Sequence, residues 1–412
     1  MSTAIRLDWG DGGDIRSAEL RATWCTLSIE LAGRLVTLVR SGSGGPRTGV
    51  HVAAYPLAEW IVEYWHRILE WQQAGGGTRR KGISMRLAGE GMAWPDLRFL
   101  ATGDEIRCTW EAGQALIGND LEFLASDAVT VPRGELERAF VDVVESVVSR
   151  LHDSGIRESV LENRWAVLRQ LSREEDEFVT AAARLGLDGF DLTEIQEHRI
   201  LDADERVPAE LLSPLLDSTD IDGLPDAVEW LENARLLEVP RTEPVAPLEW
   251  RNGHEPPWTF GYRGALELRE RLGAEELRSF PIERWVPAQT LGERSGGVEA
   301  YSATTDNRTA VVFSAPGRLP ASTRFNQARA LGYWVLFSQP ESLLPRSHRW
   351  EDQATRAFAA ELLLPSHDLR HVARQVHGYW TEAVEDRLAD EYQVSTRLVR
   401  DQLENHAILE RD

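Results

Sequence analysis

A proline-rich segment near the middle of the chain constrains its fold most. Residues 239–258 (VPRTEPVAPLEWRNGHEPPW) contain five prolines and follow neither the helical nor the strand period. Proline fixes φ and removes a backbone donor, so this segment predicts a semi-rigid linker rather than a helix or strand. Because 412 residues exceed what one core normally holds, we expect separate domains on either side of it.

Residues 1–154 predict an N-terminal mixed α/β domain, whose role the sequence does not define. Ala22–Val39 and Gly82–Trp110 alternate between apolar and polar residues, which is typical of half-buried strands. Pro56 opens a helix between them, and its apolar stripe includes Trp60 and Trp65. We therefore interpret these tryptophans as core residues rather than as surfaces on which bases stack.

Residues 155–238 predict an acidic helical region. Ser172 and Glu175 form a capping box, and the helix that they begin should end near Gly186. Leu224–Ala234 predicts a further helix in this region. The region contains no catalytic motif, so we interpret it as a helical linker or a partner-binding module.

Residues 259–412 predict a further domain that mixes both kinds of element. The pattern indicates helices at Tyr262–Leu272 and Ser322–Phe337, and strands at Gly297–Ser302 and Thr309–Ser314. The fold class that follows for the whole chain is α+β.

The helix Ser322–Phe337 (STRFNQARALGYWVLF) resembles the metal-binding helix of the ImmA/IrrE peptidases. That helix carries an Arg-Phe-x-x-Ala lead-in and then His-Glu-Leu-Gly-His, which binds zinc through its histidines and activates a water through its glutamate. The positions that match the motif are Arg324, Phe325, Ala328, Leu331 and Gly332. The three chemical positions differ, because Arg329 and Tyr333 stand in place of the histidines and Ala330 in place of the glutamate.

Two later segments are similar to the same family. Glu351–Pro365 (EDQATRAFAAELLLP) resembles the helix that carries the family's third zinc ligand, a glutamate that falls on Ala354 here. Val384–Leu403 is similar to the helix pair that closes such domains. The resemblance covers about 150 residues and implies a zincin-like fold in the C-terminal part of the chain.

The substitutions remove the chemistry of a zinc peptidase. Arg329 is a permanent cation, Ala330 has no polar atom, and Tyr333 would bind a metal only as a phenolate. We therefore expect no metal and no cofactor, and we predict that Arg329 pairs with Glu351 or Asp352 and replaces the ion as the link between two helices.

The sequence predicts a pseudo-peptidase that binds a partner polypeptide as an added strand. We predict Thr309–Ser314 as the edge strand, so that Val311, Val312 and Phe313 would contact the peptide together with Arg329 and Tyr333. The resemblance implies, by analogy only, a regulatory or scaffolding role in stress-response, phage-defence or mobile-element loci.

Two other functions are compatible with the sequence. An active metallopeptidase would need displaced ligands, and His367 and His371, four residues apart beyond a predicted Ser366 cap, are the candidates together with Glu351. A transcription factor would use the C-terminal helix pair, with the turn at 393–395 and with Thr396, Arg397 and Arg400 in a major groove of DNA. Packing of that pair on the domain core is the alternative interpretation.

Charge and composition limit the partners. The net charge is −22, which would repel a phosphate backbone. The densest basic run, at residues 79–81, is typical of a solvated loop. No apolar run is long enough to cross a membrane, and no signal-peptide pattern or Cys-x-x-Cys motif is present, so we expect a cytoplasmic protein whose Cys25 and Cys108 are buried and reduced. The sequence does not define the oligomeric state.

Overall fold

The chain forms two compact units, residues 1–197 and 198–412. The computed structural model describes residues 3–72, 82–115, 120–249, 255–292, 295–314, 319–345, 349–376 and 380–408. Both units combine helices with sheets, so the chain is an α+β protein. The basic run at residues 79–81 lies outside the described residues.

The N-terminal unit consists of antiparallel sheets and helices that pack on them. Its strands are β1 (Ala4–Trp9), β2 (Trp24–Leu31), β3 (Arg34–Leu35), β4 (Val39–Ser41), β5 (Val50–Ala53), β6 (Ile83–Ser84), β7 (Asp96–Ala101), β8 (Glu105–Glu111), β9 (Gly113–Gln114), β10 (Leu121–Phe123) and β11 (Asp127–Pro132). Its helices are α1 (Ala18–Ala22), α2 (Tyr55–Glu63), α3 (Trp65–Glu70), α4 (Arg133–Asp153), α5 (Val160–Gln170) and α6 (Arg173–Arg184). The sheet orders are β1-β2-β3 with β5 also on β2, β4-β10-β9, and β11-β8-β7-β6.

The aromatic stripe of the N-terminal unit is core, as predicted. Trp60 and Trp65 are buried, and their rings lie 5.9 Å from Phe99 and 5.5 Å from Trp165 between centroids. The stripe is divided between α2 and α3, because the backbone leaves helical geometry at Tyr64. The predicted capping box at the start of α6 is confirmed.

The C-terminal unit packs helices around a four-stranded sheet. Helix α7 (Glu194–Arg206) crosses the division at residue 197. Then follow α8 (Ala209–Leu216), α9 (Leu224–Arg235), α10 (Pro257–Arg271), β12 (Ala288–Thr290), β13 (Ala300–Thr305), β14 (Arg308–Phe313), α11 (Pro320–Phe337), β15 (Glu341–Leu343), α12 (Trp350–Leu363), α13 (Ser366–Gln375), α14 (Glu382–Tyr392) and α15 (Thr396–Asn405). The sheet order is β12-β14-β13-β15, with β12 parallel to β14 and the other pairs antiparallel.

The prediction that Thr309–Ser314 is an edge strand is wrong. β14 lies between β12 and β13, and Val311, Val312 and Phe313 are buried in the sheet. The segment's uninterrupted apolar run is typical of a strand that is covered on both faces. The three-residue strand β12 covers that side of β14, and it was too short to show a period in the sequence.

The predicted boundaries at residues 154 and 238 do not match the two units. Leu161 and Trp165 of α5 belong to the N-terminal core, whereas α8 packs on β15 and α9 on β13 in the C-terminal unit. The acidic helices are therefore shared between the two units, because each buries its apolar stripe against the nearest core.

The proline-rich segment is not a free linker where it is described. Val245 and Leu248 are buried in the C-terminal core. Their N–H groups donate to the carbonyls of Asn307 at 2.7 Å and Val335 at 2.9 Å. A proline-rich chain can still pair locally through its remaining donors, and composition alone does not show this.

Helices α10 and α12 cross closely at Gly261. A Cβ at Gly261 would lie 2.2 Å from the carbonyl oxygen of Ala354. This position therefore requires glycine, and the close crossing fixes α12 in the unit.

Candidate functional site

Three buried side chains from α11 and α12 meet in the C-terminal unit. Arg329 and Tyr333 lie one turn apart on α11, and Asp352 lies in the first turn of α12. One nitrogen of Arg329, Nη2, donates to the Pro345 carbonyl at 2.9 Å and lies 3.4 Å from Oδ1 of Asp352. The Tyr333 hydroxyl donates to the same Oδ1. Of the two acids offered by the sequence, Asp352 is the one that pairs with Arg329.

Tyr333 is held in its neutral form. Burial and the nearby Asp352 carboxylate raise the pKa of the Tyr333 phenol above its ordinary value. Tyrosine binds a metal as the phenolate. The raised pKa favours the neutral phenol instead, so it disfavours metal binding at Tyr333. The phenol instead serves as a hydrogen-bond donor to a buried carboxylate.

Arg356 is a fourth member of this group, and the sequence analysis missed it. It lies one turn after Asp352 on α12, so the two charges share a helix face. Burial and the charge of Arg329 lower the pKa of Arg356, while Asp352 raises it. The sequence could have indicated this residue, because Asp352 and Arg356 are four residues apart on a predicted helix and side chains of opposite charge at that spacing are expected to interact.

The other two motif positions contain no polar side chain. Ala330 and Ala354 are buried in the core of the C-terminal unit. In the part of the chain that the structure describes, no group of three or more histidine, cysteine, aspartate or glutamate side chains is arranged to hold a metal ion.

The displaced histidines do not converge. His367 is exposed and lies 3.4 Å from its neighbour Asp368, whereas His371 contacts the side chain of Gln375 at 2.8 Å. The predicted cap at Ser366 is wrong, because α13 begins at Ser366 and its N–H and hydroxyl donate to Oε1 of Glu361 at 2.9 and 3.0 Å. A carboxylate from α12 therefore takes the role that was assigned to the serine side chain.

A cleft of about 320 Å³ lies beside the three-residue group. Tyr333 and Asp352 contribute to its lining, as do residues of α8 and β15. The residues from these two walls are Glu210, Leu211, Pro214, Glu341, Ser342 and Leu343. The α8 wall is tied to α12 by an ion pair between Asp217 and Arg349, with 2.6 Å between Oδ2 and Nη2.

The strand that borders this cleft is an edge of the sheet. The N–H of Leu344 bonds to Ala300, and the N–H of Thr304 bonds to Pro340, which sets the antiparallel register of β15 on β13. Antiparallel pairs alternate between bonded and non-bonded positions. The backbone N–H and C=O groups of Glu341 and Leu343 therefore point away from β13, toward the side on which no further strand pairs with β15 among the described residues.

The C-terminal helix pair packs on the core. Val399 and Leu403 of α15 belong to the same apolar cluster as Leu331 of α11. Arg400 is engaged by Glu385 at 2.6 Å and Glu382 at 3.2 Å. These contacts agree with the packing interpretation, because Arg400, proposed for a DNA groove, already lies against carboxylates of its own unit.

Both cysteines are buried thiols, as predicted. Burial, with a smaller contribution from Asp8, raises the pKa of Cys25 to about 12. Burial also raises the pKa of Cys108. Thiols that resist ionisation are poor nucleophiles, so neither position is suited to covalent catalysis.

No family model matches this chain, and no curated protein matches it closely enough to count as a relative. Among the helices that the structure describes, none is both long and apolar enough to cross a membrane.

Proposed function

We propose that the C-terminal unit is a degenerate zincin-like domain of the ImmA/IrrE type that binds a partner polypeptide and does not cleave it. The observation that carries this proposal is the edge of β15 that pairs with no further described strand and that borders a cleft lined by Tyr333 and Asp352. An extended segment could pair with the outward backbone groups of Glu341 and Leu343 and place its side chains in the cleft.

The buried group supports binding without catalysis. A catalytic zinc site needs three protein ligands, an open position and a base for the bound water. Here Arg329 supplies a guanidinium, Tyr333 a neutral phenol and Ala330 a methyl group. The ion pair between Arg329 and Asp352 links α11 to α12, which is the structural role that a metal would otherwise have.

The regulatory context of the proposal comes from the resemblance alone. By analogy with the ImmA/IrrE family, we propose a role in stress responses or in the control of phages and mobile elements. We propose a protein or peptide partner, no nucleic acid, and a location in the cytoplasm.

The edge-strand proposal is tested by removing one backbone donor. Peptides selected by phage display against the full-length chain provide the probe. The variant Glu341→Pro lacks the outward backbone N–H. We expect the affinity of the selected peptides to fall about tenfold or more in this variant. A hydrogen bond of this kind contributes about 1 kcal/mol, and proline also disturbs the backbone of its neighbours.

Glu341→Ala is the matched control. It loses the same side chain, including its contact with Arg235 at 2.9 Å, but keeps the N–H. We expect its peptide affinity to stay within about threefold of the unmodified chain. Equal binding by the proline and alanine variants would contradict strand addition at β15, and peptide cleavage that a chelator abolishes would contradict the non-catalytic assignment.

A further inference from the structure

A groove of about 630 Å³ lies on the N-terminal unit and is lined by residues of α2, of α5 and of the segment between α6 and α7. In this lining Val62 is buried and Leu168 is half-buried. Val167 and Phe190 also line the groove, and these two residues are 54 % and 56 % exposed. Single exposed apolar residues are ordinary, but several that share one groove indicate a binding surface.

The apolar surface continues along α5 beyond the groove. Val160 is 55 % exposed and lies seven residues before Val167, which places both on one face of the helix, roughly 10 Å apart along its axis. The buried residues of α5, Leu161 and Trp165, belong to the core of the N-terminal unit. Helix α5 therefore has a second apolar face, which a helix of a partner would cover better than a small molecule.

Acids predominate among the charged residues of the groove. Glu63, Asp188 and Asp191 line it together with one arginine, Arg164. Nη1 of Arg164 lies 4.0 Å from Oε2 of Glu63, and Nη2 of Arg67 lies 3.5 Å from Oδ2 of Asp188. Asp191 is exposed and forms no salt bridge in the part of the chain that the structure describes. The apolar residues are therefore surrounded by an excess of negative charge.

A further acid lies one turn before Glu63 on α2. Burial raises the pKa of this residue, Glu59, and the charges of Glu90 and Glu63 raise it further. A hydrogen bond with Tyr55 and the charge of Arg164 lower the pKa but do not offset the increase. The carboxylates of this region therefore repel one another, so positive charge on a partner would be favoured here.

We propose that this groove binds an amphipathic helix of another protein, whose apolar stripe covers Val167 and Phe190 and whose flanking lysines or arginines face Glu63 and Asp191. A second copy of this chain is a poorer occupant, because it would bring the same acids against the groove. The proposal concerns the N-terminal unit and holds whether or not a peptide binds at β15.

The first experiment selects the ligand from a phage library of helical peptides of about 16 residues. The full-length chain is the target, and the variant Phe190→Asp serves for counter-selection. Peptides held only by the net charge are removed, because the variant is at least as acidic. We expect the remaining peptides to combine an apolar stripe with an excess of lysine and arginine. No remaining peptides, or peptides without that excess, would overturn the proposal.

The most enriched peptide is then titrated against Phe190→Ala by calorimetry. We expect its affinity to fall about tenfold, because an aromatic side chain in a groove is a typical centre of binding energy. Leu87→Ala is the matched control, since Leu87 is also 56 % exposed and belongs to the same unit but does not line the groove. Its affinity should be unchanged. Equal affinities for the two variants would contradict the site.

The charge argument is tested with Asp191→Lys and Asp104→Lys, which change the net charge by the same amount. Asp104 is exposed and does not line the groove. We expect Asp191→Lys to weaken the peptide about fivefold, because the basic residues of the peptide then meet a like charge. Asp104→Lys should change the affinity less than about twofold, because salt screens charges that do not contact the peptide. Equal losses would show that only the net charge matters and would contradict the proposal.

Analytical ultracentrifugation tests a second copy of the chain as the occupant. We expect the unmodified chain and Phe190→Asp to have the same oligomeric state. A dimer that Phe190→Asp abolishes would assign the groove to self-association and contradict the proposal.

Discussion

Each unit of the chain buries a carboxylate against arginines, and the two groups differ in what surrounds them. In the N-terminal unit, Glu70 of α3 pairs with Arg133 at the start of α4 and with Arg184 of α6, the latter at 2.7 Å. In the C-terminal unit, Asp352 pairs with Arg329 and also accepts a hydrogen bond from Tyr333. The second group is more deeply buried, and it also lines a cleft that the edge strand β15 borders.

The comparison shows that a buried ion pair is not by itself a sign of function. Both groups tie helices together, and loss of either carboxylate would leave arginine charge without its acid. The Asp352 group also lines a cleft that β15 borders, and it includes Arg329 and Tyr333, two of the positions that the proposed resemblance singles out. The functional interpretation therefore depends on the cleft and the edge, and the ion pair explains how the site is kept rigid.

Asp352→Ala should have the largest effect on stability. It leaves the guanidinium of Arg329, which is 4 % exposed, without its acid. We expect the C-terminal unit to lose about 3–5 kcal/mol of unfolding free energy in urea denaturation. Glu351→Ala, at the adjacent and more exposed acid, is the control and should cost less than about 1 kcal/mol. Similar losses in the two variants would show that the pair is not a structural link.

Glu70→Ala should cost less, although it removes the acid from two arginines. The side chains of Arg133 and Arg184 are 26 % and 12 % exposed, so water can partly solvate both after the substitution. We expect a loss of about 2–3 kcal/mol in the N-terminal unit, observed as a shift of its own urea transition. A loss larger than that of Asp352→Ala would reverse the ranking of the two groups.

Tyr333→Phe should have the smallest effect, and it should depend on pH. At neutral pH the loss of the hydrogen bond to Asp352 should cost about 1–2 kcal/mol. Since the folded pKa of Tyr333 is raised above the 10.0 of a free phenol, its contribution to stability is complete below pH 10 and decreases as the pH rises further. The variant should lose less stability than the unmodified chain between neutral pH and pH 11, and an equal loss in both would show that the phenol is not held neutral.

The sequence predicted the elements of the fold better than their arrangement. The stripe of α2 and α3 and the capping box of α6 follow local rules, and both are as predicted. The prediction that Thr309–Ser314 is an edge strand was wrong. The segment lies inside the sheet because β12 pairs with it, and a local sequence pattern contains no information on such pairing. The packing of the proline-rich segment was missed for the same reason.

The candidate site was predictable in part. The sequence predicted that Arg329 pairs with Glu351 or Asp352, and the structure pairs it with Asp352, to which Tyr333 also donates. The sequence offered Glu351 as an equal partner, because helix position alone does not separate adjacent acids. It did not reveal β15, whose three residues carry no period, nor the carbonyl of Pro345 that accepts from Arg329.

We propose that the turn from Arg329 to Tyr333 is a metal site whose ligands have been replaced. The most direct test is zinc content by plasma mass spectrometry, for the untagged chain and for a variant that combines Arg329→His, Ala330→Glu, Tyr333→His and Ala354→Glu. We expect only traces of zinc in the unmodified chain and about one zinc per chain in the variant, because the variant restores three protein ligands and a base. One tightly bound zinc in the unmodified chain, or a folded variant that binds none, would contradict the claim.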